Sequence, residues 1–269
     1  MENEAMRGVL FDVDGVLHVG MRAVPGAAEA IERLGERGIR VRFMTNTTTA
    51  RRATLAAGLR GIGLPVRDEE LMTAPVATAG YVKRRWPGAR CYLIAKGDVA
   101  EEFVEAGVAL VADEGDEAAG VVVIGGAEER LTYERMNRAF RMLLGGATLV
   151  AMHRNRSWRT AAGMQLDSGP FVTALEEASG VRAVTVGKPA LPFFRQGLRA
   201  IGVPARAVAM VGDDAVNDLA PARRLGMRTI LVRTGKPVGE REEAMAEVTI
   251  DSVAELAGAL ARLAASGAA

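Results

Sequence analysis

The stretch Leu10-Phe11-Asp12-Val13-Asp14-Gly15-Val16 decides how the rest of the chain is interpreted. An apolar run beginning at Gly8 leads into two carboxylates, and strand alternation puts Asp12 and Asp14 on the same side. Two converging negative charges repel each other unless a cation lies between them. Mg²⁺, which binds carboxylate, carbonyl and water oxygens, is the natural partner. Taken alone, the motif fits a strand ending in a polar turn equally well.

Size and composition limit the classes of protein to which the chain can belong. Its 269 residues allow one large domain or two moderate ones, and 49% hydrophobic with 25% charged residues is typical of a globular protein. The net charge of +1 gives no electrostatic reason to expect nucleic acid or an anionic membrane as the main partner. Anion binding, if present, must be local.

The single cysteine, Cys91, excludes an internal disulfide framework and suits a reducing compartment. Its place in an apolar run predicts a small buried side chain. The N-terminal residues 1–5 lack a signal-peptide pattern, and no apolar run approaches the roughly 18 residues of a membrane span. We therefore expect a soluble cytoplasmic protein.

The first part of the chain alternates between strand and helix patterns. A helix opened by Pro25-Gly26 and closed by Gly38 is followed by a buried strand over 39–44, a helix over 50–60 and a short strand over 71–73. This β-α-β-α order predicts parallel strands with right-handed crossovers.

The middle of the chain has the pattern of a separate α/β unit. Predicted strands over 90–95, 120–124 and 148–152 alternate with helices over 76–86, 99–106, 133–144 and 170–178, and residues 153–169 look irregular. The last part resumes with strands over 183–186, 207–211 and 228–232, helices over 192–201 and 215–225, and a final helix over 252–263. We therefore predict a Rossmann-like parallel-sheet core, residues 1–74 and 182–269, interrupted by an inserted α/β domain, residues 75–181.

A second acid-tipped strand supports the metal hypothesis. The apolar run 208–211 ends in Gly212-Asp213-Asp214, with Asn217-Asp218 just beyond. Two such ends in one parallel sheet can meet and build a metal site, with Asp213 as a direct ligand. For Asp214 we favour the role of N-cap to the next helix.

Two further polar motifs occupy loops after predicted strands. Thr45-Asn46 offers hydroxyl and amide donors suited to phosphate oxygens, although for the Thr-rich segment alone helix capping by Thr47 or Thr48 is favoured. Lys188, in Gly187-Lys188-Pro189, supplies a compact positive charge for an anion. Each of these motifs alone is a weak signal.

In this order the motifs resemble those of the haloacid dehalogenase (HAD) superfamily of phosphohydrolases over nearly the whole chain. The four matches are Asp12-Val13-Asp14-Gly15-Val16, Thr45, Lys188, and Gly212-Asp213 with Asp218. The long insert between the second and third motifs is similar to the class II (C2) cap of the NagD-like group. Smaller segments, among them Leu17-His18-Val19 and Thr234-Gly235-Lys236, add to the resemblance.

The resemblance implies a mechanism for the core residues. Asp12 would be the nucleophile that forms an aspartyl-phosphate, and Asp14 would protonate the leaving oxygen and then deprotonate the hydrolytic water. Mg²⁺ would be held by Asp12, the Asp14 carbonyl oxygen and Asp213, with Asp218 behind them. Thr45, Asn46 and Lys188 would bind the phosphoryl oxygens.

The resemblance also implies that the insert acts as a lid that recognises the leaving group. The candidate residues for this recognition are His153-Arg154-Asn155-Arg156. Their arginines would favour an anionic leaving group, although an exposed basic loop fits the sequence equally well. NagD-like relatives commonly carry Thr-Asn-x-Asp there, so the substrate stays open. For His18 we favour a surface or packed role. By family analogy, the protein would form a homodimer.

The function that follows is a Mg²⁺-dependent phosphatase acting on a small phosphorylated metabolite or on pyrophosphate. A dehalogenase would not need Asp14. A phosphoryl-accepting receiver module also combines acids, Thr and Lys, but it is about half this length and has no insert. A slow or non-catalytic phosphate-binding scaffold protein of the same fold remains open.

Overall fold

The computed structural model describes residues 6–160 and 163–266. Its strands are short and mostly apolar, and they are numbered here in chain order: β1 (Gly8–Asp12), β2 (His18–Val19), β3 (Arg22–Ala23), β4 (Arg40–Thr45), β5 (Leu71–Thr73), β6 (Cys91–Ile94), β7 (Val121–Ile124), β8 (Thr148–Ala151), β9 (Ser157–Thr160), β10 (Gly163–Leu166), β11 (Val184–Thr185), β12 (Val208–Gly212), β13 (Arg228–Val232) and β14 (Val248–Ile250).

The α-helices alternate with these strands along most of the chain. They are α1 (Ala27–Glu36), α2 (Arg52–Gly61), α3 (Ala74–Arg85), α4 (Val99–Glu105), α5 (Tyr133–Leu144), α6 (Ser168–Ser179), α7 (Leu191–Ile201), α8 (Ala220–Arg224), α9 (Glu240–Glu243) and α10 (Leu256–Ser266). Among residues 6–160 and 163–266, no helix is both long enough and apolar enough to cross a membrane.

The chain divides into two compact units. The first consists of Met1–Thr45, Ala53–Met72 and Lys188–Ala269, and the second of Asn46–Arg52 and Thr73–Gly187. The predicted core, residues 1–74 and 182–269, includes residues 46–52, 73–74 and 182–187, which the contacts group with the second unit.

The first unit is built on a six-stranded sheet in the order β14-β13-β12-β1-β4-β5. The pairings from β14 through β4 are parallel, as the strand and helix alternation predicts. Strands β1 and β12 lie side by side at its centre and are buried along their whole length. Such continuous apolar strands are typical of a parallel sheet covered on both faces.

One face of this sheet carries a hydrophobic core of the first unit. Phe11 of β1 stacks on Phe43 of β4, with ring centroids 5.7 Å apart. The apolar stripe of α1 packs into the same core, because its residues 27, 30, 31 and 34 recur at helical spacing. The strand that ends at Asp12 is therefore fixed in place by its neighbours on both sides.

The second unit has its own four-stranded parallel sheet in the order β11-β8-β7-β6. Its core contains Tyr92, Val122 and Leu149, all of them fully buried. Cys91 is buried in β6, as its apolar surroundings predict. The α/β fold class inferred from the sequence is confirmed.

Several elements differ from the prediction, among them α9 and β14, for which no element was predicted. The segment predicted to be irregular, 153–169, contains the antiparallel pair β9 and β10. Strands β2 and β3 have two residues each, which is too few to show the alternation of apolar and polar residues that predicts a strand. The helix predicted over 215–225 begins as a wide π-helical turn, Ala215–Leu219, and only then becomes α8.

Candidate active site

Two neighbouring strand ends bring the acidic motifs of the first unit together. Phe11 of β1 pairs with Val211 of β12, so the residues that follow, Asp12 and Asp213, emerge at the same edge of the sheet. One carboxylate oxygen from each of Asp12, Asp213 and Asp218 lies within 4.8 Å of the other two. All three residues are buried.

The turn after β12 explains how Asp218 reaches this cluster. Asp214 caps the turn, because its Oδ1 accepts hydrogen bonds from the backbone N–H groups of Val216 (3.0 Å) and Asn217 (2.9 Å). The predicted capping role of Asp214 is thus confirmed. The π-helical turn that follows carries Asp218 inward, where it is 1% exposed.

Lys188 lies inside the carboxylate cluster. Its Nζ is 2.6 Å from Asp12 Oδ1 and 2.9 Å from Asp218 Oδ1. Burial alone would lower the pKa of Lys188, but the two carboxylates outweigh it and raise the pKa above its ordinary value. The ammonium therefore stays charged at neutral pH.

The charges of this cluster suit a divalent cation. When all three carboxylates are ionised, the single ammonium leaves two negative charges unbalanced. Burial, and then repulsion from Asp12, raise the pKa of Asp213 to about 6 and that of Asp218 well above its ordinary value. A hard divalent ion with a preference for oxygen ligands matches both the donor atoms and the charge.

Asp14 has different surroundings from Asp12. Its side chain is 66% exposed, and the Thr45 hydroxyl donates to Asp14 Oδ2 at 3.4 Å. The buried His18 places Nε2 3.5 Å from Asp14 Oδ1. An accessible carboxylate beside two polar side chains is suited to exchanging protons with a ligand.

The sequence and the fold were compared with those of known proteins. A family model for haloacid dehalogenase-like hydrolases matches residues 9–109, and one described as HAD-hydrolase-like matches residues 185–256. The human phospholysine phosphohistidine inorganic pyrophosphate phosphatase is 38% identical over 260 residues, which cover 93% of this chain and 92% of that protein. The chain belongs to the haloacid dehalogenase-like hydrolase family.

Other relatives support the same assignment. The bovine haloacid dehalogenase-like hydrolase domain-containing protein 2 is 39% identical over 86% of each chain. The p-nitrophenyl phosphatase of Archaeoglobus fulgidus superposes with a TM-score of 0.86 at 28% identity, covering 95% of this chain and 99% of its own. NagD of E. coli K-12 gives a TM-score of 0.85 at 26% identity, covering 93% and 98%. This HAD-like hydrolase is a phosphatase of the NagD-like group.

The remaining predicted site residues of this HAD-like hydrolase lie in the second unit. Asn46 directly follows Thr45 in the chain, and its side chain lies against Gly187. Asn155 directs its backbone N–H to His153 Nδ1 at 3.3 Å and its carbonyl oxygen to the N–H of Gly169 at 2.9 Å. Asn155 is thus bonded through its backbone within this unit.

His153 is 2% exposed and joins separate segments of the second unit. Its Nε2 lies 3.1 Å from the Thr48 hydroxyl, and its Nδ1 lies 3.4 Å from the Ser168 hydroxyl. Of the two residues favoured as helix caps, Thr47 or Thr48, Thr48 does not cap the helix, because its oxygen accepts from the N–H of Gly126 at 2.9 Å. Burial lowers the pKa of His153, which favours the neutral ring.

Arg154 forms a paired contact with a buried carboxylate. Its two terminal nitrogens donate to Glu176 Oε1 and Oε2 at 2.8 and 2.7 Å. The bidentate pairing lowers the pKa of Glu176 to about 2. The guanidinium is therefore engaged within the second unit.

The sequence reasoning assigned no role to the turn after β13. The backbone N–H of Lys236 donates to Asp213 Oδ2 at 3.0 Å, and the Thr234 hydroxyl donates to the Gly15 carbonyl oxygen at 2.5 Å. The sequence does contain a signal for this turn, because Thr234-Gly235-Lys236 follows a strand of the parallel sheet whose strand ends also supply Asp12 and Asp213.

Proposed function

We propose that this phosphatase depends on Mg²⁺ and hydrolyses a small phosphorylated molecule through an aspartyl-phosphate on Asp12. The observation that carries the proposal is the buried cluster of Asp12, Asp213 and Asp218 around the Lys188 ammonium. Burying these charged groups costs folding free energy, and a bound cation together with an anionic ligand would offset that cost.

The positions of the acidic donor atoms support an assignment of the metal ligands. In the proposal, Mg²⁺ is held by Asp12, the Asp14 carbonyl oxygen and Asp213. Asp218 does not bind the ion directly; it pairs with Lys188 and helps to orient these ligands. When bound, Mg²⁺ neutralises charge on the phosphoryl oxygens and so favours approach of a carboxylate nucleophile.

Asp12 and Asp14 divide the chemistry between them. An oxygen of Asp12 attacks phosphorus, the bond from phosphorus to the leaving oxygen breaks, and a protonated Asp14 donates its proton to that oxygen. Asp14 then takes a proton from water, which attacks the phosphoryl group, releases inorganic phosphate and regenerates Asp12. The exposed position of Asp14 supports a part in both proton transfers.

Three residues that match the family's motifs bind the phosphoryl group in this proposal. Thr45 and Asn46 donate hydrogen bonds to its oxygens, and Lys188 balances its negative charge. Thr45 is buried, which limits its freedom to turn towards bulk water. In the second unit, the loop residues His153, Arg154 and Asn155 are proposed to shape the choice of leaving group.

The names of two relatives suggest the substrates to test. We propose phosphate monoesters, inorganic pyrophosphate and phosphoamino acids with phosphorus–nitrogen bonds as the panel, because one relative is named for phospholysine, phosphohistidine and inorganic pyrophosphate. We further propose a cytoplasmic location, which the single buried cysteine supports, and self-association into a homodimer, which sedimentation of the purified protein would test.

The test is hydrolysis of p-nitrophenyl phosphate, with and without Mg²⁺, by the natural protein and Asp12→Asn. We expect turnover only with Mg²⁺, and its loss by at least about 10³-fold in the variant, because the nucleophile is removed. Asp68→Asn, which changes an exposed acid paired with Arg60, is the matched control and should keep its activity.

Two outcomes would overturn the proposal. Full activity in EDTA would exclude the metal dependence, and activity retained by Asp12→Asn would exclude the nucleophile. If the protein binds Mg²⁺ and phosphate but turns over no member of the panel, a non-catalytic phosphate-binding role replaces the phosphatase.

A further inference from the structure

The turn formed by residues 234–236 lies between two catalytic loops of the first unit. It follows β13, which pairs in parallel with β12, the strand that leads to Asp213. At one end of the turn, the Thr234 hydroxyl donates to the carbonyl oxygen of Gly15, at 2.5 Å. Gly15 is the residue directly after Asp14, so Thr234 is bonded to the loop that carries both motif acids.

The other end of the turn contacts the second acidic loop. The backbone N–H of Lys236 donates to Asp213 Oδ2 at 3.0 Å, and Lys236 Nζ pairs with Asp214 Oδ2. These two bonds fix the carboxylate of Asp213 and the cap of the turn that delivers Asp218. One three-residue segment is thus joined to each loop that supplies an acid of the cluster.

Close packing leaves little freedom at this junction. A Cβ on Gly235 would collide with the Asp213 carboxylate and would lie 2.8 Å from the Gly15 Cα. Gly15 itself has φ +81°, and a Cβ there would lie 3.0 Å from the Gly235 Cα. The two glycines let the turn and the Asp14 loop approach on either side of Asp213.

We propose that Thr234 is a positioning residue of the metal site: its hydroxyl holds the Gly15 loop against the turn that orients Asp213. The inference rests on the proposed metal-dependent function. Thr234 itself is proposed to contact neither substrate nor metal. It fixes the distance between the ligands at the end of β1 and Asp213, which follows β12. Partners that orient metal ligands change metal affinity by about 10- to 100-fold when removed.

The experiment compares Thr234→Val, which keeps the shape and removes the hydroxyl, with Thr234→Ser, which keeps the hydroxyl. Calorimetric titration of each protein with MgCl₂ measures the dissociation constant directly, without turnover. We expect Thr234→Val to raise it at least about tenfold and Thr234→Ser to stay within about threefold of the natural protein. With enough Mg²⁺ to saturate Thr234→Val, kcat should recover.

Further measurements separate a positioning role from a general loss of structure. The melting temperature in EDTA should be nearly the same for the natural protein and both variants. If Thr234→Val folds poorly, Thr234→Ala serves instead, because it also removes the hydroxyl that donates to the Gly15 carbonyl oxygen and should weaken Mg²⁺ binding by a similar factor.

The outcomes distinguish this inference from the proposed function. Equal Mg²⁺ affinity in Thr234→Val and the natural protein overturns the inference alone. Equal weakening in Thr234→Ser and Thr234→Val also overturns it, since the hydroxyl would then be irrelevant. If the natural protein binds no Mg²⁺, the metal-dependent function itself fails.

Discussion

Replacing Lys188 by methionine removes the only ammonium inside the described carboxylate cluster while keeping most of the side-chain volume. Lys188 and Asp218 are 6% and 1% exposed, and Nζ lies 2.6 and 2.9 Å from its two partners. At an effective dielectric constant of about 20, each attraction is about 6 kcal/mol before the cost of burial is subtracted. Removing one partner of such a buried pair costs about 3–5 kcal/mol.

We therefore expect Lys188→Met to lower the free energy of unfolding in EDTA by about 3–5 kcal/mol at pH 7.5. Mg²⁺ should restore more stability to the variant than to the natural protein, because the variant has one more uncompensated negative charge. At a hundred times the dissociation constant, bound Mg²⁺ contributes about 2.7 kcal/mol. Urea unfolding followed by circular dichroism, with and without Mg²⁺, measures both quantities.

Lys83→Met is the matched control, because the Lys83 ammonium lies at the surface and donates to the Gly107 carbonyl oxygen at 2.7 Å. It should change the free energy of unfolding by less than about 1 kcal/mol. Equal stability of Lys188→Met and the control in EDTA would show that the Lys188 ammonium does not stabilise the carboxylate cluster. A smaller stabilisation of the variant than of the natural protein by Mg²⁺ would show the same.

Two further predictions concern stability. Glu176→Gln should lower the free energy of unfolding by about 2 kcal/mol above pH 4.5. Pairing with Arg154 lowers the pKa of Glu176 to about 2. The difference from the natural protein should therefore disappear as the pH falls through that value. Tryptophan fluorescence during acid unfolding measures this difference, since Trp86 and Trp158 both belong to the second unit. A difference in stability that does not change with pH would contradict the prediction. Asp214→Ala should cost about 1 kcal/mol and Asp214→Asn much less, because asparagine still caps the turn; equal losses in urea unfolding would contradict the capping role.

The sequence predicts the parts of this fold that depend on local pattern. Strands β1 and β12 are continuous apolar runs because a parallel sheet buries both of their faces. The acid after each run marks the edge where the strands end, so Asp12 and Asp213 could be placed together without coordinates. Asp214 could be assigned as a cap because capping depends on neighbours two and three residues away.

What the sequence does not predict depends on contacts between distant segments. Thr48 looks like a helix cap, yet its hydroxyl bonds Gly126, 78 residues further along the chain. Thr234 reaches the Gly15 carbonyl oxygen across 219 residues. No local pattern encodes such pairs, because each requires the sheet order to be known first.

The central claim is that Asp12 is the residue to which phosphate is transferred. Rapid acid quenching during turnover of p-nitrophenyl phosphate, followed by borohydride reduction and peptide mass spectrometry, tests it directly. We expect homoserine, the reduction product of an aspartyl-phosphate, at position 12 only when Mg²⁺ and substrate are both present. Modification at Asp14, Asp213 or another residue, or none at any quench time during active turnover, would exclude Asp12 as the phosphorylated residue.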